Sequence, residues 1–373
     1  SAIRARRCIL VGDENQLPPY FGNKDEYHLH ALCALMMHHN QGVTIENAVE
    51  GLAEIWEAED DAELHAFRRD AVLDEAKELL SSGSWKKHYL DLLDSEKKYY
   101  QADKEHQSLS KAMLCAMREK LITSYFSRAV TEVHPSLRQR LVEQRRMIKP
   151  IARIVSEPVY GGDYITPPSE ELAKRGISPL VTDLLRTPIT FIDTTAYGRE
   201  AEEKLIGNGF VNEVEIQHIQ GVCSHLDEYH RKTGVTNRIS VSILCFYKAQ
   251  ARRISERLGG YGKKRRYNHL QFNVIDAIDR IQGQESDVVV ISFCRARPRG
   301  IGEGFGKWLQ DMRRLNVAMT RARRALILVG HGKTLRGLRT FERSKLFYEH
   351  LFNLFETHSD VMTTLKKVDW RDR

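Results

Sequence analysis

Two rhythms of apolar and polar residues divide this chain. Residues Arg7–Val11 (RCILV) form a short apolar run that opens into the polar GDENQLPP, the pattern of a buried strand feeding a loop. From about 24 to 123 the rhythm is helical. The stretch NAVEGLAEIWEAEDDAELHAFRRDAVLDEAKELL carries almost no Gly or Pro and much Ala, Leu and Glu, and predicts an all-helical segment with charged faces. After about 140, short apolar runs alternate with helical periods. Strands are predicted at Ile189–Asp193, Ser240–Cys245, Val288–Phe293 and Ala325–Val329. Helices are predicted around Asn212–His225 and Lys248–Leu258, and the closing FERSKLFYEHLFNLFE reads as a further amphipathic helix. Strands that alternate with helices imply an α/β fold, a mostly parallel sheet covered on both faces.

Composition narrows this picture only slightly. The 373 residues include 42% hydrophobic and 29% charged residues, ordinary for a globular protein with a substantial core. The start SAIRARRCIL is not expected to act as a signal peptide, no apolar run approaches the ~20 residues of a membrane span, and the six cysteines contain no C-x-x-C pair. We therefore expect an intracellular protein, cytoplasmic or nuclear, with reduced thiols and no membrane partner. Charge changes the picture more. Residues 251–340 hold 20 Lys/Arg against 7 Asp/Glu, while the rest of the chain is slightly acidic despite a net charge of +7. A basic block of that kind suits a polyanion, either nucleic acid or a nucleotide phosphate.

Four segments carry candidate chemistry. In Gly12-Asp13-Glu14-Asn15-Gln16, a carboxylate and an amide follow a buried strand, where parallel sheets place ligands. In Glu143-Gln144-Arg145-Arg146-Met147, paired guanidinium groups offer forked donors to phosphate. Asp276–Asp287 is a polar loop in which Gly283 permits close backbone approach and Glu285 offers a carboxylate, running into the apolar VVVISF. In Arg313–Arg324 the arginines recur at helical spacing, so several are expected to share one helix face.

In this order, GDENQLPP, EQRRM, ILCFYKAQ, DAIDRIQGQESDVVVIS and RRLNVAMTRAR resemble motifs III through VI of superfamily 1 helicases, most of all the 5′-to-3′ branch of up-frameshift-like enzymes. The resemblance spans residues 7–20 and about 124–335. It implies a RecA-like parallel-sheet domain of the P-loop NTPase fold, the second motor domain, joined to an all-helical insertion. The implied boundaries are 1–20 for the end of a first RecA-like domain, 21–123 for the insertion, 124–340 for the second domain and 341–373 for C-terminal helices. It also implies roles. Gln16, Arg146 and Arg321 would be catalytic, with Gln16 and Arg146 sensing the γ-phosphate and Arg321 acting as the arginine finger. Asp13, Gln144, Gly283, Glu285, Arg314 and Arg323 would attend the ATP. Tyr247, Lys248, Gln250, Ala277 and Asp279 would lie toward nucleic acid. ATP and magnesium are the implied cofactors. Single-stranded or duplex nucleic acid and an N-terminal RecA-like domain are the implied partners, with a protein partner possible for the insertion.

The chain departs from that family where it has Cys245-Phe246-Tyr247 in place of Thr-Pro-Tyr, Ala277 in place of Thr, and Ile148-Lys149-Pro150 in place of His-Pro. No G-x-x-x-x-G-K-[ST] stretch occurs, so ATP turnover by this chain alone is not expected. Gly330-His331-Gly332-Lys333-Thr334 imitates such a loop, but Ile327 stands where its first glycine belongs. Phe305-Gly306-Lys307 and Tyr261-Gly262-Lys263 fail in the same way. His28, His30, Cys33, His38 and His39 have no zinc-like spacing and are expected on helix surfaces; Trp56, Tyr99 and Tyr100 are expected to pack helices. The alternative to a motor half is a non-catalytic scaffold that binds nucleic acid or recruits a partner.

Overall fold

The computed structural model describes residues 13, 23–53, 62–83, 141–207, 209–259, 267–278, 284–297, 306–338, 342–368 and 370. The chain divides into two compact units, Ser1–Gln139 and Arg140–Arg373. The expected strand at 7–11 and the residues Gln16, Trp56, Tyr99, Tyr100, Tyr261, Asp279 and Gly283 lie outside the described residues.

In the first unit, helices α1 (Asn23–Gln41), α2 (Ile45–Ala53) and α3 (Ala62–Ser82) enclose a small apolar core. Leu32, Cys33 and Leu35 of α1 meet Ala48 and Val49 of α2 and Val72, Ala76 and Leu79 of α3. His28 Nδ1 lies 2.7 Å from Glu75 Oε1, tying α1 to α3, and His38 Nδ1 lies 2.6 Å from the Val43 carbonyl oxygen. The histidines were expected on helix surfaces, but His30 is buried. Among the described residues, no group of three His, Cys, Asp or Glu could hold a metal.

The second unit opens with α4 (Lys149–Tyr160) and α5 (Ser169–Lys174), then alternates strands and helices. These are β1 (Ile189–Asp193), a 3-10 stretch (Thr194–Ala201), the hairpin β2 (Lys204–Ile206) and β3 (Gly209–Val211), α6 (Glu213–Thr233), β4 (Ile239–Cys245) and α7 (Lys248–Leu258). There follow β5 (Leu270–Ala277), β6 (Ser286–Ser292), a 3-10 turn (Lys307–Gln310), α8 (Met312–Met319), β7 (Ala322–Gly330), α9 (Gly332–Gly337), α10 (Glu342–Thr357) and β8 (Met362–Lys366). The sheet runs β5-β4-β6-β7-β1-β8, and every pairing in it is parallel. Helices line the sheet, as in the RecA-like arrangement. β4, β6 and β7 are buried on both faces, which is why their sequences are near-continuous apolar runs. Helix ends follow local chemistry: Asn212 caps α6 by accepting the Glu215 N–H, and Gly234 ends the helix at φ +66°, where a side chain would be strained.

Three expectations need correction. The arginines of 313–324 do not share one helix. α8 stops at Met319 with Thr320 as its C-cap, Arg321 lies in the turn, and Arg323 and Arg324 already belong to β7. The apolar ALILVG run demands a strand between β6 and β1, and it draws those arginines into extended backbone. Residues Asp276 and Ala277, expected in a loop, end the strand β5, which among the described residues has only β4 beside it and alternates polar Gln271 and Asn273 with apolar residues. The closing segment expected as helices contributes α10 and then β8, which pairs with β1 as an edge strand. Among the described residues, no helix is long and apolar enough to cross a membrane.

Candidate nucleotide-facing site

Parallel strands bring distant segments together at their ends. β6 and β7 are neighbours with Ser286 opposite Ala322, so the residues just before them, Glu285 and Arg321, sit side by side at the amino ends. The Ser286 N–H donates to the Arg321 carbonyl at 3.1 Å. A third segment docks here because the Ile148 N–H donates to the Arg323 carbonyl at 3.0 Å, placing the 144–147 turn against the start of β7.

That turn is held from behind by Gln144, which is buried. Its Oε1 accepts the N–H groups of Arg146 (2.9 Å) and Met147 (3.0 Å), and its Nε2 donates to the Met147 carbonyl (2.9 Å) and to Thr166 Oγ1 (3.0 Å). Gln144 therefore positions Arg146 and has its own amide committed to protein atoms. Arg146 reaches forward, with Nε 3.0 Å from Glu285 Oε2 and Nη1 3.5 Å from the Thr320 carbonyl. Glu285 also faces Arg323, whose Nε is 3.6 Å from Oε1. Asp287, on β6, lies 3.8 Å from Arg323 Nη1 and 4.0 Å from Arg324 Nη1. Arg321 is 5% exposed. Burial, and then the neighbouring Arg146, hold its guanidinium below the usual arginine pKa, while Glu285 and Tyr160 act in the opposite direction. The depression is first a cost of burying the charge, to which the proximity of Arg146 adds. Arg314 sits half-exposed on α8, and Asp13 is half-exposed within the first unit.

The structure thus brings Arg146, Glu285, Arg321 and Arg323 together. Sequence reasoning missed Tyr160, whose hydroxyl accepts from Asn316 Nδ2 at 2.8 Å, and Asp287. Asp287 stands beside Glu285 in the sequence, and only the pairing of β6 with β7 points it at arginines.

Of the residues expected toward nucleic acid, Tyr247, Lys248, Gln250 and Ala277 lie at the opposite, carboxyl end of the sheet. Tyr247 stands at the N-cap position of α7 without a side-chain cap bond, its ring lies edge-to-face with Phe210 at 5.3 Å between centroids, and its hydroxyl is 3.3 Å from Arg295 Nη1. Lys248 is exposed, whereas Ala277 is buried. Gln250 is fully buried, donating to Ser292 Oγ at 2.9 Å and accepting the Asn212 N–H at 2.9 Å, so it is a strut. Glu203 joins this end. Its buried carboxylate meets Arg295 Nε at 2.8 Å and Arg297 Nη1 at 2.7 Å, and accepts the Ala296 N–H at 2.7 Å. The GHGKT imitation of a phosphate loop encloses a carboxylate: the Gly332 N–H donates to Asp193 Oδ1 at 2.9 Å, and a Cβ there would sit 2.7 Å from Oδ2.

Comparison with known proteins gives this arrangement a context. Regulator of nonsense transcripts 1 of Dictyostelium discoideum is 28% identical over 234 residues, covering 62% of this chain and 16% of the relative. DNA polymerase alpha-associated DNA helicase A of Schizosaccharomyces pombe is 26% identical over 284 residues, covering 74% of this chain and 39% of the relative. DNA-binding protein SMUBP-2 of Mus musculus is 25% identical over 304 residues, covering 80% of this chain and 27% of the relative. The chain spans well under half the length of each. A family model described as "AAA domain" matches residues 121–333, a stretch that takes in the arginine cluster and the carboxyl-end residues alike. With more than half of its length matched, the chain belongs to the AAA-domain family.

Proposed function

We propose that the chain is the second motor half of an ATP-driven superfamily 1 helicase or translocase, and that it contributes γ-phosphate sensing, an arginine finger and a grip on a nucleic-acid strand. The observation that carries this reading is the convergence of Arg146 with Glu285, Arg321 and Arg323, which follow it by more than 130 residues, at the amino ends of two adjacent strands. A polyphosphate would suit this cluster, because guanidinium groups are its natural partners and Arg146 and Arg321 lie close enough to act on each other's charge. Residues 1–20 then end a first RecA-like domain, 21–123 form a helical insertion, and 124–340 form the second RecA-like domain with 341–373 closing it. Asp13 and Gln16 would meet magnesium and the attacking water. The cradle for the β- and γ-phosphates must come from sequence other than this, since no G-x-x-x-x-G-K-[ST] occurs here.

The motor reading is tested in a protein that carries this chain together with a phosphate loop. Arg321→Ala should lower magnesium-ATP turnover by roughly 10³-fold or more while strand binding persists, as for an arginine finger. Equal loss of turnover and strand binding would overturn the finger role. A scaffold would bind strand or partner with no turnover even when joined to an intact loop.

A further inference from the structure

Where β6 ends, the backbone takes a shape that residues with side chains rarely adopt. The Arg295 N–H donates to the Phe293 carbonyl at 2.8 Å, closing a γ-turn around Cys294, whose φ is +67°. A positive-φ γ-turn at a non-glycine residue is strained and persists only when its surroundings hold it. The first turn of α6 and the residue that caps it hold it here. Glu215 Oε2 accepts the Cys294 N–H at 2.9 Å and the Ser292 hydroxyl at 2.6 Å, and Asn212 Nδ2 donates to the Cys294 carbonyl at 2.9 Å. Both peptide groups of Cys294 are thereby pinned. Gln250 of α7 completes the lock by bonding both Asn212 and Ser292.

Asn212, Glu215, Gln250, Ser292 and Cys294 are all fully buried. A carboxyl group is an unfavourable choice for a core unless it holds something, and Glu215 Oε1 has no hydrogen-bond partner among the described residues. What Oε2 holds is the turn that delivers Arg295. The Arg295 guanidinium lies 3.8 Å over the Phe210 ring and braces the Tyr247 hydroxyl, and two residues on, Arg297 emerges partly exposed.

We propose that Glu215 is a positioning residue: by fixing the γ-turn at Cys294 it sets Tyr247 and Arg297 as a strand-facing surface at the carboxyl end of the sheet. The inference rests on the strand-motor reading above for what that surface touches, while the lock itself is a property of this chain.

Four forms of the purified chain test it: wild type, Glu215→Gln, Glu215→Ala, and Glu215→Ala combined with Cys294→Gly. Two measurements are made, amide hydrogen exchange across residues 292–297 and affinity for a fluorescent single-stranded oligonucleotide. Glu215→Ala leaves two buried donors without an acceptor, so exchange should quicken and affinity fall, each by about ten- to hundredfold. Glu215→Gln should match wild type, because its carboxamide oxygen can accept the same two bonds. Adding Cys294→Gly should restore part of the affinity, since glycine takes positive φ without strain although the two donors stay unpaired. If Glu215→Ala does not fold, the double variant must fold and bind. The proposal is overturned if Glu215→Ala exchanges and binds as wild type does, if Glu215→Gln is as damaging as Glu215→Ala, or if glycine restores nothing. A wild-type chain that binds no strand would count against the motor reading, and the exchange measurement would still decide the lock.

Discussion

Burial pushes the Glu215 carboxyl up to about 8, against the pull of the hydrogen bonds from Ser292 and Cys294. An acid whose folded pKa lies above its unfolded value works against folding as pH rises. Below the ordinary value of 4.5 both states hold the proton; between there and about 8 only the folded state does, so the cost grows through that window and then levels. Glu215→Gln removes this dependence. Its melting temperature should exceed that of wild type by more at pH 8 than at pH 5, and a constant difference would show that Glu215 does not titrate there. At this scale the sequence names residues well and their duties poorly. Gln144 and Gln250 carry amides suited to a ligand, yet both bond protein atoms, because a buried amide beside unpaired backbone donors is satisfied locally before any ligand arrives.

Elements show where local pattern stops being sufficient. α7 begins and ends where the sequence places it, since its apolar period and Gly259, at φ +113°, mark both face and end. β5 escaped because an edge strand with polar alternate residues resembles a loop, and β8 because MTTLK carries little apolar signal of its own. α6 carries a glycine, Gly221, for a reason only packing supplies. The Trp370 ring lies on it so closely that a Cβ would fall 2.1 Å from Cδ2, and the Trp370 indole N–H donates to His218 Nδ1 at 3.0 Å. Alanine is ordinarily worth up to ~1 kcal/mol more than glycine in a helix. Here Gly221→Ala should instead lower the melting temperature and make Trp370 more accessible to a fluorescence quencher. A rise in melting temperature with unchanged quenching would show that the ring does not rest there.

For the molecule as a whole, strand direction separates two surfaces. Arginines collect at the amino ends of β6 and β7, and Tyr247, Arg295 and Arg297 at the carboxyl ends of β4 and β6, about 20 Å away for a strand of this length. In a motor half, that separation would let a nucleotide act at one end of a rigid sheet and a strand at the other. If the basic block of 251–340 contacts phosphates, oligonucleotide affinity should fall with salt, with a log–log slope of about −0.7 per contact for a single strand. A slope near zero would remove nucleic acid as the partner of this surface.

Sequence alone determined the α/β alternation, the main buried strands of the sheet and the identity of the arginines, because apolar period, caps and the ordered motif series are local properties. Tertiary structure alone decided which side chains face outward and which brace others. The pairing of β6 with β7 sets Glu285 and Asp287 against Arg323 and Arg324, the docking of the 144–147 turn on β7 adds Arg146, and the meeting of the first turn of α6 with the end of β6 makes Glu215 the holder of a strained turn. Those facts depend on contacts between residues far apart in the chain, which no local period encodes.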